Sequence, residues 1–257
     1  MQGDIEIELE KDIDLENAMV IEGFPSIGVI STIATSYLVK ALDMEYIGSI
    51  RYSGSPNAAV IIDEVPHPPL RIYGKSGNCG PDNICNKLVV MYSENPIPAD
   101  VIQPLSESIL EWCSDKKCGL IVSFEGIPTM RAPDNDQETG VYGIGSNQDM
   151  NELLDSYEVE KVKNGIVVGI SGLLLLGGRR NKQNVLCILA DADPRYPDSN
   201  GAVKLIEVID ALIPQHKIDP EPLKKQAEEL ESSIKEAMTQ AKKSQAQTAE
   251  VPKYMYG

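Results

Sequence analysis

Over the first ten residues, acids alternate with Ile5, Ile7 and Leu9. A period of two sends apolar side chains to one face and carboxylates to the other, which predicts a strand with one buried face and one charged edge. Ala18 to Glu22 is apolar up to its last residue and predicts a second, more deeply buried strand. It runs into Gly23-Phe24-Pro25-Ser26-Ile27-Gly28, and then Val29 to Leu42 carries Ile, Ala, Leu and Tyr without Gly or Pro, which predicts a helix. Between residues 45 and 73, Tyr46 to Tyr52, Ala58 to Ile62 and Leu70 to Tyr73 are short β-rich pieces separated by Ser-Gly-Ser-Pro and Pro-His-Pro-Pro turns. That is the pattern of a hairpin or meander.

From Lys87 onward the pattern alternates. Leu88 to Tyr92 predicts a strand, and Asp100 is placed to cap a helix whose Ile102, Leu105, Ile109 and Trp112 form one apolar stripe. Gly119 to Phe124 predicts the next strand, Gly165 to Val168 feeds the Gly169 to Gly178 segment, and Val185 to Ala190 predicts a further strand. Ala202, Leu205, Ile209 and Leu212 stripe another helix. Strands alternating with helices predict a mostly parallel sheet covered on both faces, an α/β core over residues 1–214. The longest uncharged apolar stretch, Asn164 to Gly178, is shorter than the ~20 residues of a membrane span and is interrupted by glycines, so it is expected to be buried protein core.

After Pro214 the aliphatic, Gly-punctuated segments give way to Lys, Glu, Gln and Ala, with no Gly until the last residue. Residues 215–245 read as a helical appendage. Leu223, Ala227, Leu230, Ile234, Ala237 and Ala241 recur at steps of four and three, a heptad seam. Two uses fit it: a helix packed on its own core, or self-association through Leu223, Leu230 and Ile234. From residue 246 to 257 the pattern is lost, which predicts a flexible tail ending Val251-Pro252-Lys253-Tyr254-Met255-Tyr256-Gly257.

Charge follows the same division. The 257 residues hold 23 Lys and Arg against 39 Asp and Glu, a formal charge of −16. Residues 215–257 carry seven of each sign, so the whole excess belongs to residues 1–214. Such a surface disfavours nucleic acid and anionic membranes as partners. Asp4, Glu6, Glu8 and Glu10 stand where a signal peptide would be basic and then apolar, so a cytoplasmic location is expected. Five cysteines, Cys79, Cys85, Cys113, Cys118 and Cys187, make an odd number, and reduced thiols are the expectation.

The residues that carry chemistry assemble no active site. His67 and His216 lie in predicted loops without an orienting partner, and neither Cys79/Cys85 nor Cys113/Cys118 has the two-residue gap of a structural zinc site. Gly23-x4-Gly28 places amides at a helix start, where a phosphate can bind, but lacks the Lys-Ser/Thr of a P-loop and the Gly-x-Gly of a dinucleotide loop. A tight strand-to-helix connection accounts for it. Gly169-Ile170-Ser171-Gly172 lacks the spacing of a nucleophile elbow. Asp191, Asp193 and Asp198 cluster at a strand end, where a Mg²⁺ ion is conceivable, although capping by Asp198 or Ser199 and neutralisation by Arg195 explain them more simply. Glu125 has the same position and no partner. No catalytic residue, cofactor site or metal site is predicted.

Taken together, Glu22-Gly23-Phe24-Pro25-Ser26-Ile27-Gly28-Val29-Ile30, Phe124-Glu125-Gly126-Ile127-Pro128, Gly169-Ile170-Ser171-Gly172-Leu173-Leu174 and Tyr196-Pro197-Asp198 resemble the proteasome assembly chaperone family in its archaeal form, in order and separation, over roughly residues 15–214. The resemblance implies a three-layer α/β/α core, no cofactor, homo-oligomerisation and binding to the α-subunits of the proteasome core particle. Met255-Tyr256-Gly257 is similar to the hydrophobic-Tyr-any-residue ending with which proteasome activators enter pockets between α-subunits. An apolar anchor, a ring with a hydroxyl and a free carboxylate suit such a pocket. The expected function is an ATP-independent proteasome-binding protein, an assembly chaperone, an activator or both, and not an enzyme. Two alternatives are a small-molecule enzyme acting on nucleotides or sugar phosphates through the loops at Gly23, Glu125 and Asp193, and a homo-oligomeric scaffold whose tail is incidental.

Overall fold

In the computed structural model, residues 5–79, 85–129 and 139–225 are described. The acidic alternating segment forms β1 (Ile5–Leu9), whose Ile5, Ile7 and Leu9 are half-buried while Glu6 and Glu8 are exposed. Glu6 and Glu8 both pair with Arg51 on the neighbouring strand. β2 (Met19–Gly23) is buried at all five positions, and a short 3₁₀ turn leads into α1 (Ile30–Ala41). Then come β3 (Glu45–Tyr52), a small separate hairpin of β4 (Val60–Ile62) and β5 (Val65–His67), β6 (Arg71–Cys79) and β7 (Cys85–Tyr92). The second half contains α2 (Ala99–Asp115), β8 (Leu120–Pro128), β9 (Val141–Gly145), α3 (Gln148–Ser156), β10 (Glu160–Lys161), α4 (Gly169–Asn181), β11 (Val185–Ala192) and α5 (Ser199–Leu212).

Among the described residues, nine strands form one sheet in the order β1-β3-β6-β7-β2-β8-β11-β9-β10. Its centre, β7-β2-β8-β11, is parallel. The flank β1-β3-β6-β7 is antiparallel throughout, and β9 runs antiparallel to β11. The sheet is therefore mixed, and the expectation of a mostly parallel one is corrected. Parallel neighbours require a crossover, usually a helix, whereas short connections reverse the chain. Among the described residues, no helix lies between β3, β6 and β7, in keeping with their antiparallel pairing.

Helices cover both faces. Leu38, Leu154 and Leu205 of α1, α3 and α5 belong to one buried cluster, and Leu105 and Leu174 of α2 and α4 to the other. The three-layer α/β/α architecture is thus as expected. The stripe on α5 is fully internal, with Ala202, Leu205 and Ile209 at 0% exposure. The cap of α2 is not Asp100, which lies in the first turn; Pro98 occupies the N-cap without a side-chain bond. The stretch Asn164 to Gly178 is only partly buried: Ile166 is 90% exposed, and Val168 and Leu176 are exposed too. Cys85, whose Cα faces that of Cys79 across β6 and β7, is disulfide-bonded, so reduced thiols do not hold throughout, while Cys113, Cys118 and Cys187 are free. Among the described residues, no helix is long and apolar enough to cross a membrane.

The α2–α4 contact depends on a missing side chain. A Cβ on Gly177 would lie 2.2 Å from Leu110 Cδ1. Gly177→Ala gains about 1 kcal/mol of helix propensity but overpacks the contact by roughly 1–3 kcal/mol. In urea unfolding, the substitution is expected to destabilise the wild type by up to roughly 2 kcal/mol and to stabilise a Leu110→Ala background by about 1 kcal/mol. The same cost in both backgrounds would remove Leu110 as its cause.

Candidate functional site

The carboxyl ends of the central parallel strands are where open α/β sheets place ligands. Here they hold a buried polar cluster. Glu22, next to last in β2, is 2% exposed, and β8 carries Glu125, 9% exposed. Glu22 Oε1 accepts the N–H of Phe24 at 2.8 Å, and its other oxygen accepts the hydroxyl of Ser123. Ser123 Oγ lies 2.7 Å from Ser171 Oγ on α4. Glu125 Oε1 accepts the N–H of Gly126 at 3.0 Å, and the N–H of Ile27 also bonds this carboxyl. Ser31 at the start of α1 donates to Phe124 O at 2.8 Å and lies 2.5 Å from Ser26 Oγ.

The Gly23 to Gly28 loop thus directs the amides of Phe24 and Ile27 onto the protein's own carboxyls. The group that sits near this helix start, where a bound anion could be held, is the carboxyl of Glu125. Gly28 adopts φ +63, and a Cβ there would meet Ala192 Cβ, Asp198 Cβ and Asp193 O at 3.0–3.2 Å. Gly28 O in turn accepts the N–H of Asp198 at 2.8 Å. The loop is a tight connection packed beneath the segment that joins β11 to α5.

That segment uses its carboxylates in the same way. Asp198 is the N-cap of α5, accepting from Gly201 N at 3.1 Å and Asp193 N at 2.8 Å. Asp193, fully buried, accepts from Arg195 Nε at 2.8 Å and from its backbone N–H, and the Arg195 hydrogen bonds hold its carboxyl at about 2. Asp191 accepts from Thr129 Oγ1 and Gly140 N. Among the described residues, no group of three or more His, Cys, Asp or Glu is arranged to hold a metal ion. His67 packs edge-on against Tyr46, with ring centroids 4.5 Å apart. His216 is held below its ordinary value by burial and by Lys75. An open groove of about 700 Å³ lies elsewhere, lined by Asn151, Glu152, Lys161, Leu176 and Arg179 among others.

Sequence reasoning paired Glu125 with nothing, because Glu22 and Ser123, which share its cluster, are distant in the chain; Glu22 and Ser123 themselves are separated by 101 residues. It also missed Arg71. That side chain is fully buried, paired with Glu94 and 4.9 Å from the centre of the Tyr92 ring. The one usable signal was an arginine opening a β-rich run just before aromatic positions.

The chain matches the PAC2 family over residues 20–238. It belongs to that family. A protein of Methanocaldococcus jannaschii of uncharacterised role is 29% identical over 244 residues, 95% of either chain. Pyrococcus furiosus PbaA, an archaeal homologue of proteasome-assembly chaperone, superposes with a TM-score of 0.79 at 26% identity, covering 98% of this chain and 99% of its own. PbaB from the same organism, an archaeal proteasome activator, gives a TM-score of 0.75 at 18% identity, covering 93% and 100%, and so shares the fold.

On this PAC2 body, Leu223 is 3% exposed and joins the buried cluster of α1 and α5. The Tyr37 hydroxyl donates to Asp219 O, and Lys224 Nζ lies 3.4 Å from Glu207. The first position of the heptad seam is therefore covered by the chain's own core. Leu230, Ile234, Met255, Tyr256 and Gly257 lie outside the described residues.

Burial pushes the carboxyls of Glu22 and Glu125 up to about 7 from 4.5. The unfolded chain releases these protons near pH 4.5 while the native PAC2 fold keeps them to about 7. Across that interval the unfolded state binds fewer protons, so stability falls as pH rises and levels off above it, by up to about 3 kcal/mol per group. Urea midpoints at pH 5 and pH 8 are expected to differ less in Glu22→Gln and Glu125→Gln than in the wild type. An unchanged difference in both variants would assign the pH dependence to other groups.

Proposed function

We propose that this PAC2 protein is an ATP-independent proteasome-binding protein, an assembly chaperone, an activator or both, working in the cytoplasm without turnover of its own. The observation that carries the reading is the match to PbaA along nearly the whole of both chains at 26% identity. The strand-end cluster supports it indirectly. Glu22, Glu125 and Asp193 have protein partners, which suits a rigid binding body better than a catalytic crevice.

In this reading Met255, Tyr256 and the carboxylate of Gly257 dock into pockets between α-subunits of the core particle. The apolar side chain and the ring fill the pocket, and the terminal carboxylate pairs with a basic side chain. The burial of Leu223 supports a fixed starting point for residues 226–257 on the α1 and α5 side of the body. With a helix to residue 245 and an extended tail beyond it, these residues would span roughly 70 Å, enough to separate body and docking site. Leu230 and Ile234 then serve self-association, which presents several tails together and converts modest single affinities into avidity.

Removal of residues 255–257 is expected to weaken association with the core particle by tenfold or more, about 1.4 kcal/mol, in native gels, and to change its peptide hydrolysis correspondingly. Equal behaviour of intact and truncated protein would overturn tail docking. Truncation after residue 225 leaves Leu223 in place and is expected to give a single-chain mass in solution. An unchanged oligomer would move self-association to the folded body.

A further inference from the structure

α2 ends in a Schellman turn whose two meeting side chains are both cysteines. Lys117 adopts φ +54, its N–H bonds Ser114 O at 3.0 Å, and the N–H of Cys118 bonds Cys113 O at 2.8 Å. This bond pair brings the side chain near the helix end against the one just beyond it, ordinarily as an apolar contact. Here Cys113 and Cys118 are free thiols hydrogen-bonded to each other. Cys113 is 1% exposed, while Cys118 is half-buried and reaches solvent. The bond from Cys113, with the Lys116 ammonium nearby, holds the Cys118 thiol below its ordinary value, and the same bond with burial holds Cys113 above it. A solvent-accessible thiol beside a buried one that can resolve it is the arrangement of a redox-responsive pair.

We propose that Cys113 and Cys118 form a peroxide-reactive dithiol that closes reversibly to an intramolecular disulfide at the C-terminus of α2. The Cys118 thiolate attacks an oxygen of the hydroperoxide. The O–O bond breaks, the departing hydroxide takes up a proton, and Cys118 is left as a sulfenic acid. Cys113 sulfur then attacks the Cys118 sulfur, the S–O bond breaks, and water leaves with the Cys113 proton. Two electrons pass from the two sulfurs to the peroxide. A reducing thiol reopens the bond by exchange. The pair needs little movement to close, because the turn already holds the two residues in contact. Cys187, fully buried and pushed up by desolvation, is the thiol that does not react.

The test is hydrogen peroxide treatment of the folded full-length protein, followed by alkylation and peptide mass mapping. The segment holding Cys113 and Cys118 is expected to lose about 2 Da and to resist alkylation until dithiothreitol is added, while Cys187 stays reduced. In Cys113→Ala and in the more conservative Cys113→Ser, Cys118 is expected to stop at the sulfenic acid and to be captured by dimedone. Cys118→Ala is expected to leave Cys113 reduced. Dimedone capture in the wild type with no Cys113–Cys118 link would overturn the proposal. So would a Cys118 that oxidises no faster than Cys187.

Discussion

β2 lies in the middle of the parallel centre, buried along its whole length and paired on both sides. The chain leaving it turns into α1 away from water, and backbone amides there need partners. Glu22 and Glu125 supply them, the first to Phe24 and the second to Ile27 and Gly126. Desolvation favours the protonated form of both carboxyls, while the amide bonds favour the charged form, and burial prevails. Because this turn is held, Gly28 fits beneath Asp198, and Asp198 starts α5. α5 and α1 then form the surface that receives Leu223. Two internal carboxyls at the sheet's centre thus reach, through three successive contacts, the place where Leu223 is seated.

Much of the fold was legible because its strands are apolar runs and two of its helices carry plain stripes. β2, β11 and α5 follow directly from Ala18 to Glu22, Val185 to Ala190 and the Ala202 to Leu212 stripe. Strand direction was less legible, since it depends on the connections and not on the strands' own residues. β9, α3 and β10 went unseen because their signals are weak: glycines break the strand at Gly143 and Gly145, and β10 has only two residues.

The candidate site divides in the same way. The cap at Asp198 is local, a carboxylate reaching an amide three residues on, and local chemistry can be read from a sequence. The Glu22, Ser123 and Ser171 cluster is tertiary and cannot. α1 illustrates why hydrophobic patterning misses it: Ser31, Thr32 and Thr35 are all buried, yet they look like a solvent-facing strip. Their hydroxyls bond the carbonyls of Phe124 in the middle of β8 and of Ser93 just beyond β7, or a carbonyl within α1 itself, so burial here follows hydrogen bonding and not apolarity.

Charge relates the body to the proposed mode of action. The full excess of −16 lies in residues 1–214, and residues 215–257 are balanced. Copies of an acidic body repel at short range, and this repulsion decays over about 8 Å at physiological ionic strength. A neutral segment with an apolar seam is the part of the chain that can approach another copy without that cost. The proposed self-association through Leu230 and Ile234 would avoid that cost, whereas association face to face would bring the acidic surfaces inside the screening distance. The same holds for the proposed docking of Met255, Tyr256 and Gly257, since residues 215–257 carry no net charge of their own to a pocket. The charge break at Pro214 and the structural one do not coincide: Ile218 and Leu223 are still buried in the core, so in the proposed reading the contact-making segment starts beyond them.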